Sequence, residues 1–325
     1  MHASHPFDRL QPDLILDAVE ALGFHADGRL LALNSFENRV YQVGIEGEPP
    51  LITKFYRPGR WTDAAILEEH AFTHELAEAE LPAVPPLRLD GRTLHHHDRF
   101  RFSLFPRRGG RLIEIDDADH RRWIGRLLGR LHAIGALRRF EHRPRLSVQE
   151  FGEDPASFLL EHRLLPPHVE AAYESLSRDL LQAIGECLDG VAPATLRIHG
   201  DCHAGNILWT DAGPHFVDFD DARMGPAVQD LWMLLSGERG NQERQLAEVL
   251  EGYEQFRSFD YTELALIEPL RTLRLMHYEA WVARRWDDPA FPPAFPWFAS
   301  PRHWEDHILA LREQLALLHE RPLAP

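Results

Sequence analysis

Apolar and polar residues alternate along two short stretches near the start of the chain, VYQVGI (40–45) and LITKFY (51–56). Alternation with a period of two is typical of half-buried strands, and the intervening EGEPP predicts a hairpin with a loop of about five residues. Side chains alternate along a strand, so Ile52, Lys54 and Tyr56 are expected on one face. The pattern therefore predicts a small sheet that presents a lysine.

The next segments continue this mixed pattern. A helix is predicted from roughly Thr62 to Ala79, with Thr62 as its N-cap. A proline-rich extended connector follows, and RTLHHH (92–97) and RFRFSLFP (99–106) predict a second pair of strands.

The period changes after the RRGGR segment at 107–111. Apolar residues then recur every three or four positions, which is typical of amphipathic helices. This pattern covers 121–135 and the stretches near 169–188, 242–256, 263–286 and 303–318. We therefore predict an α+β, two-lobed protein, with a small β-rich N-terminal lobe (1–106) and a larger, mostly helical C-terminal lobe (107–325).

One β-rich island, residues 196–222, interrupts the helical part and carries the polar cluster HGDCHAGN (199–206). NILW and HFVDF flank the turn-forming TDAGP, so a hairpin is predicted that places Asn206 beside Asp218. An amide oxygen and a carboxylate are hard ligands of the kind that Mg²⁺ prefers. Asp201 precedes Asn206 by five residues and is placed to accept a proton from a substrate hydroxyl.

Two other chemistries compete for this cluster. His199, Cys202 and His203 could ligate zinc, but there is one cysteine here and no CxxC spacing. Cys202 and His203 could form a nucleophile and its base, but adjacent loop residues rarely orient each other. The spacing H-x-D-x-x-x-x-N, with an aspartate twelve residues later, instead favours phosphoryl transfer, which needs a base, a metal site and a lysine on the phosphates.

The composition of the chain limits which kinds of partner and which cellular compartment are expected. With 35 basic and 51 acidic residues the net charge is −16, which argues against a nucleic-acid partner. Two cysteines cannot form a disulfide framework and suggest a reducing compartment, so a cytoplasmic protein is expected. The sequence pattern predicts neither a signal peptide nor a membrane-spanning segment. A monomer is expected because no sustained heptad pattern occurs.

HGDCHAGN and VDFDDA resemble the catalytic core of the protein-kinase-like superfamily, in its aminoglycoside-phosphotransferase branch. The longer strings LNSFENRVYQV, KFYRPGRWT, HGDCHAGNILW and GPAVQDLWMLL resemble the stress response kinase A family, described as cytoplasmic bacterial Ser/Thr protein kinases. The resemblance runs from about residue 8 to 318.

The resemblance implies roles for the acidic residues of the island. Asp201 would be the catalytic base, and Asn206 and Asp218 the magnesium ligands, with Asp218 thereby also catalytic. Asp230 matches an aspartate that supports the catalytic loop by accepting backbone N–H bonds. Asp220 is interpreted either as a ligand of a second metal ion or as an exposed carboxylate.

The resemblance also implies a nucleotide site in the N-terminal lobe. Lys54 matches the lysine that contacts the α- and β-phosphates of ATP. Glu69 matches its ion-pair partner, with Glu68 as the rival because the register is uncertain by one. Ser35 falls where the phosphate-covering loop is expected, although G-x-G-x-x-G is missing there. The adenine is expected between the lobes, near residues 104–106.

These observations predict an ATP- and Mg²⁺-dependent phosphotransferase. The resemblance favours a Ser/Thr protein kinase of the bacterial stress response that also phosphorylates itself. A kinase of small molecules (an aminoglycoside, amino alcohol or sugar) is the first alternative. A nucleotide-binding pseudokinase scaffold is the second.

Overall fold

A computed structural model describes residues 5–113 and 117–325 of the chain. Its helices are α1 (Pro12–Glu20), α2 (Asp63–Glu78), α3 (Ala118–Gly135), α4 (Asp154–Glu161), α5 (Pro167–Val191), α6 (Val228–Trp232), α7 (Arg239–Tyr253), α8 (Ile267–Ala283), α9 (Phe291–Ala294) and α10 (Pro301–Leu317). Its strands are β1 (Ala26–Ala32), β2 (Arg39–Ile45), β3 (Glu48–Phe55), β4 (His95–His97), β5 (Phe100–Pro106), β6 (Arg111–Leu112), β7 (Leu196–Ile198), β8 (Ile207–Thr210), β9 (Gly213–Phe216) and β10 (Arg223–Gly225). The predicted α+β class is confirmed.

The described residues form two compact units that are not contiguous in sequence. The first contains the N-terminal segment up to residue 113 together with residues 139–143 and 203–222. The second contains residues 117–138, 144–202 and 223–325. The sequence pattern predicts a single boundary between the lobes, at residue 106. In the structure, the hairpin of β8 and β9 lies far beyond that boundary but belongs to the first unit, because β8 pairs with β6.

The first unit is built on a five-stranded sheet of order β1-β2-β3-β5-β4, in which all neighbours are antiparallel. Apolar residues of α1 form one buried cluster with the sheet, which includes Ile15, Val19, Phe55 and Phe102. The helix α2 begins as predicted, because the Thr62 side chain accepts a hydrogen bond from the amide of Ala65 at 3.2 Å. The sheet and its two helices hold β3, and with it Lys54, in a fixed frame.

The turn between β2 and β3 is shorter than the predicted loop of five residues. Ile45 pairs with Glu48, so Glu46 and Gly47 alone make the turn, and Gly47 has φ 69°. The two prolines that suggested a loop lie inside β3, where the register with β2 shifts and the pairing with β5 has not yet begun. A proline is tolerated there because no ladder bond requires its missing N–H.

The second unit is mostly helical, with β7 and β10 as an antiparallel pair. Its helices α3 and α7 cross at glycines: a side chain at Gly125 or Gly252 would collide with the carbonyl of Val249 or Arg122 on the other helix. Such close backbone approach needs residues without a Cβ. Along the described ranges, no helix is both long enough and apolar enough to cross a membrane.

Candidate active site

A cavity of about 400 Å³ lies within the first unit and contains the predicted nucleotide-site residues. Its polar lining includes Ser35, Lys54, Glu69, Asn206 and Asp218. Its apolar lining includes Val40, Ile52, Val84, Phe105, Pro106 and Leu208. Ile52 and Lys54 both face the cavity, which confirms that they share one face of β3.

Lys54 is buried, and its ammonium group lies between two carboxylates. Its Nζ is 2.8 Å from Asp218 Oδ1 and 3.1 Å from Asp220 Oδ1. Burial alone would lower the pKa of Lys54, but the two aspartates hold that pKa well above its ordinary value. Lys54 therefore carries a fixed positive charge on the cavity wall.

Asp218 follows the island hairpin in a conformation that is unusual for a non-glycine residue, with φ 59° and ψ 66°. The amide of Val217 donates to the carbonyl of Asn206 at 3.0 Å, so the hairpin brings Asn206 next to Asp218, as the pattern predicts. The side chain of Asp218 is 53% exposed. Left-handed backbone in such a residue costs free energy and is concentrated at functional sites.

Asp220 is buried, so the interpretation as an exposed carboxylate is wrong. Burial by itself would raise its pKa, but the charges of Lys54 and Arg60 lower that pKa to about 2. Its carboxylate contacts both cations. Asp220 is therefore an ionised, buried partner of these two side chains.

The structure separates the two candidate glutamates of α2. The carboxylate of Glu68 accepts hydrogen bonds from the amides of residues 141, 142 and 143 at 2.6–2.8 Å. Glu69 is buried and lines the cavity. However, Glu69 forms no ion pair with Lys54, whose ammonium group is paired instead with Asp218 and Asp220. The expected Lys54–Glu69 pair is therefore not formed here.

Glu69 makes stability depend on pH. Burial raises its pKa to about 7 from the ordinary 4.5. Folding therefore favours the protonated carboxyl, so its contribution to stability is complete below pH 4.5 and is lost as the pH rises to about 7. We expect Glu69→Gln to remove part of the decline in unfolding free energy over this range, by up to about 3 kcal/mol.

Urea unfolding at several pH values measures this effect. Glu78→Gln is the matched control, because Glu78 lies on the same helix with an exposed side chain. A pH profile of Glu69→Gln that parallels the unsubstituted protein would contradict the assignment.

The loop that contains Ser35 takes its shape from side chains rather than from glycines. The Ser35 hydroxyl donates to the carbonyl of Asn38 at 3.2 Å. Arg57 donates to the carbonyls of Glu37 and Phe36 at 2.9 and 3.2 Å, and its amide donates to Asn38 Oδ1 at 3.1 Å. Ser35 lines the cavity, and its role in covering a phosphate stays a prediction.

Asp201 belongs to the second unit. Its carboxylate forms an ion pair with Arg274 of α8, with Arg274 Nη1 2.7 Å from Asp201 Oδ1. The backbone just before it is fixed by Asp230, which accepts from the amides of His199 and Gly200 at 2.8 Å each. The prediction that Asp230 accepts backbone N–H bonds from the segment before Asp201 is confirmed.

We expect Asp230→Ala to reduce the free energy of unfolding by about 3–5 kcal/mol. Asp230 is fully buried and also contacts His132 Nε2 at 3.1 Å, so its removal leaves buried donors unsatisfied. Urea denaturation measures the loss. Asp119→Ala is the control because its side chain is 92% exposed. A loss below about 1 kcal/mol would contradict this role for Asp230.

The structure supports neither a cysteine nucleophile nor a zinc site in the cluster at 199–206. Burial raises the pKa of the Cys202 thiol well above its usual range, which disfavours the thiolate that a nucleophile needs. Within residues 5–113 and 117–325, no three His, Cys, Asp or Glu side chains are grouped to hold a metal ion. This disfavours zinc at His199, Cys202 and His203, whereas Mg²⁺ needs fewer protein ligands.

Sequence reasoning missed Arg57, Arg60 and Arg274. Arg57 and Arg60 flank a Pro-Gly pair shortly after β3. Two arginines this close to the strand lysine are a sequence signal by which they could have been found. Arg274 lies on a helix whose pattern indicates only amphipathicity, so nothing local marks it.

Comparisons with known proteins identify the family to which the chain belongs. The phosphotransferase enzyme family (APH) matches residues 29–267. The chain is 46% identical over 317 residues to "Stress response kinase A" of Salmonella choleraesuis, covering 98% of this chain and 96% of the relative. It is also 46% identical, with the same coverage, to "Serine/threonine protein kinase RdoA" of Salmonella typhimurium.

Solved structures share the fold at low sequence identity. An amicoumacin kinase bound to AMP-PNP and Ca²⁺ has a TM-score of 0.72 at 18% identity, covering 96% of this chain and 95% of that one. A microcompartment-associated aminopropanol kinase has a TM-score of 0.68 at 20% identity, covering 94% and 96%. With the family match and the near full-length relatives, the chain belongs to the phosphotransferase enzyme family and, within it, to the stress response kinase A group of kinases.

Proposed function

We propose that this kinase transfers the γ-phosphoryl group of ATP to the hydroxyl of serine or threonine in a protein, including its own chain, in a bacterial stress response. The observation that carries the proposal is the shared cavity of Lys54, Asn206 and Asp218, with Lys54 Nζ 2.8 Å from Asp218. Phosphoryl transfer needs this combination of a fixed cation and hard oxygen ligands.

The residues fit a Mg²⁺ ion. Asn206 and Asp218 offer an amide oxygen and a carboxylate on one cavity, and the Asp218 side chain is more than half exposed. Mg²⁺ is commonly bound by one or two carboxylates with substrate phosphates and water completing its shell. When bound, the ion supplies positive charge that offsets the charge of the phosphates.

The other lining residues fit a nucleotide. Phe105, Pro106 and Ile52 provide apolar surface for a purine base, close to the segment expected to hold the adenine. The Ser35 hydroxyl and the charged Lys54 are donors for phosphate oxygens. Asp201 is the proposed proton acceptor for the substrate hydroxyl.

Two observations favour a protein acceptor. A relative with 46% identity is named a serine/threonine protein kinase. In addition, the Arg274 guanidinium is paired with Asp201. A positive charge beside the proposed base opposes the binding of a cationic acceptor such as an amino alcohol.

A small-molecule kinase is the second candidate. The solved structures of similar fold are of enzymes named for small molecules, such as aminopropanol and spectinomycin. The net charge of −16 also suits a cationic acceptor. A pseudokinase is disfavoured because Lys54, Asp201, Asn206 and Asp218 are all present. A cytoplasmic location agrees with the free thiols of both cysteines.

Incubation with γ-labelled ATP tests the proposal. The purified protein is offered a bacterial protein mixture and, separately, a panel of amino alcohols, aminoglycosides and sugars. We expect label on serine or threonine of proteins, dependent on Mg²⁺. Label confined to small molecules would favour the second candidate, and nucleotide binding without transfer to either would favour the pseudokinase.

A further inference from the structure

The turn after the island hairpin contains three aspartates, Asp218, Asp220 and Asp221, within four residues. Neighbouring carboxylates repel one another unless cations neutralise them. The surroundings of these three side chains differ strongly. Asp220 is buried, whereas the Asp218 side chain is 53% exposed and faces the cavity.

The carboxylate of Asp220 lies between Lys54 and Arg60. The second of these cations, Arg60, also reaches Asp221. Its guanidinium is bridged to both remaining carboxylates: Nη1 contacts Asp220 Oδ2, and Nη2 is 2.8 Å from Asp221 Oδ1. Only 15% of the Arg60 side chain is exposed, so these pairs are partly shielded from water. A planar guanidinium presents several N–H donors in a fixed arrangement and can bind two carboxylates at once.

Arg60 also connects this turn to the loop that contains Ser35. Its Nε lies 3.9 Å from Glu37 Oε1, and Glu37 is paired with Arg57 at 3.0 Å. Arg57 in turn donates to the carbonyls of the same loop. A continuous set of charged contacts therefore joins the loop proposed to cover the nucleotide to the turn proposed to hold the cation.

We propose that Arg60 is a positioning residue. It neutralises Asp221 and, together with Lys54, Asp220, so that the half-exposed Asp218 is the carboxylate of the turn that binds the cation; through Glu37 it couples cation binding to nucleotide binding. This inference rests on the proposed function. It also accounts for how a loop without G-x-G-x-x-G is held, since Arg57 binds the backbone of this loop and Glu37 lies between Arg57 and Arg60.

Titration with Mn²⁺ alone, followed by electron paramagnetic resonance, tests the first part without any reaction. We expect Arg60→Gln to bind at least one more Mn²⁺ per chain than the unsubstituted protein, or to bind Mn²⁺ about tenfold more tightly. Adding Asp220→Asn to Arg60→Gln should abolish the gain. Arg29→Gln is the control, because Arg29 pairs with Asp27 at the exposed edge of the same unit.

AMP-PNP affinity with and without Mn²⁺ tests the coupling. We expect the Mn²⁺-dependent gain in affinity to fall about tenfold in Arg60→Gln and to be unchanged in Arg29→Gln. If Arg60→Gln is unfolded by circular dichroism, Arg60→Lys is used, for which a smaller gain in Mn²⁺ binding is expected.

The outcomes distinguish a failure of the proposed function from a failure of the inference about Arg60. If the unsubstituted protein binds no AMP-PNP, the proposed function fails, while the Mn²⁺ titration still tests Arg60. Mn²⁺ binding by a folded Arg60 variant equal to that of the unsubstituted protein would overturn the inference about Arg60 and leave the proposed function standing.

Discussion

Asp201→Asn is expected to lower the rate of phosphoryl transfer by about 10²- to 10⁴-fold while nucleotide affinity changes by less than about twofold. The amide has nearly the volume of the carboxylate but cannot accept the hydroxyl proton. Asp201 belongs to the second unit, whereas the residues that line the proposed nucleotide cavity belong to the first. Initial rates with labelled ATP and titration with a fluorescent nucleotide measure the two effects separately.

Two controls sharpen this prediction. Asp211→Asn changes an exposed aspartate in the turn between β8 and β9 and should leave the rate unchanged. Arg274→Gln removes the ion-pair partner of Asp201 but keeps the carboxylate, so its rate should remain well above that of Asp201→Asn. Transfer by Asp201→Asn within about tenfold of the unsubstituted protein would exclude Asp201 as the base.

Local sequence patterns predict much of the fold, because strands and helices follow from the spacing of apolar residues and from turn chemistry. The N-cap of α2 at Thr62 and the hairpin that places Asn206 beside Asp218 are both features of short segments. The predicted length of the β2–β3 turn is wrong because proline is tolerated inside a strand where a register shift removes the need for its N–H.

Long-range side-chain pairing was not predictable from the same patterns. Arg60 and Asp220 are 160 residues apart in sequence, and no local periodicity relates them. The choice between Glu68 and Glu69 likewise depends on the tertiary fold, since the Glu68 carboxylate binds amides 73–75 residues later. The presence of a carboxylate is visible in the sequence, whereas its burial and partners depend on packing.

Asp218→Asn is expected to reduce the Mg²⁺-dependent gain in nucleotide affinity by more than about tenfold and to abolish most of the transfer activity. An amide oxygen is a weaker Mg²⁺ ligand than a carboxylate. The fold should tolerate the change, because asparagine is among the residues best suited to the left-handed backbone at this position.

The contacts of Lys54 allow a loss of Mg²⁺ binding to be distinguished from a loss of phosphate binding. Lys54 keeps Asp220 as an ion-pair partner at 3.1 Å when Asp218 is neutralised, so its charge and its contribution to phosphate binding should persist. Nucleotide affinity measured without divalent cation should therefore change by less than about threefold, while the Mg²⁺ titration changes strongly. An unaltered Mg²⁺ titration in Asp218→Asn would exclude this carboxylate as a metal ligand, and an equal loss with and without Mg²⁺ would instead place its role in phosphate binding through Lys54.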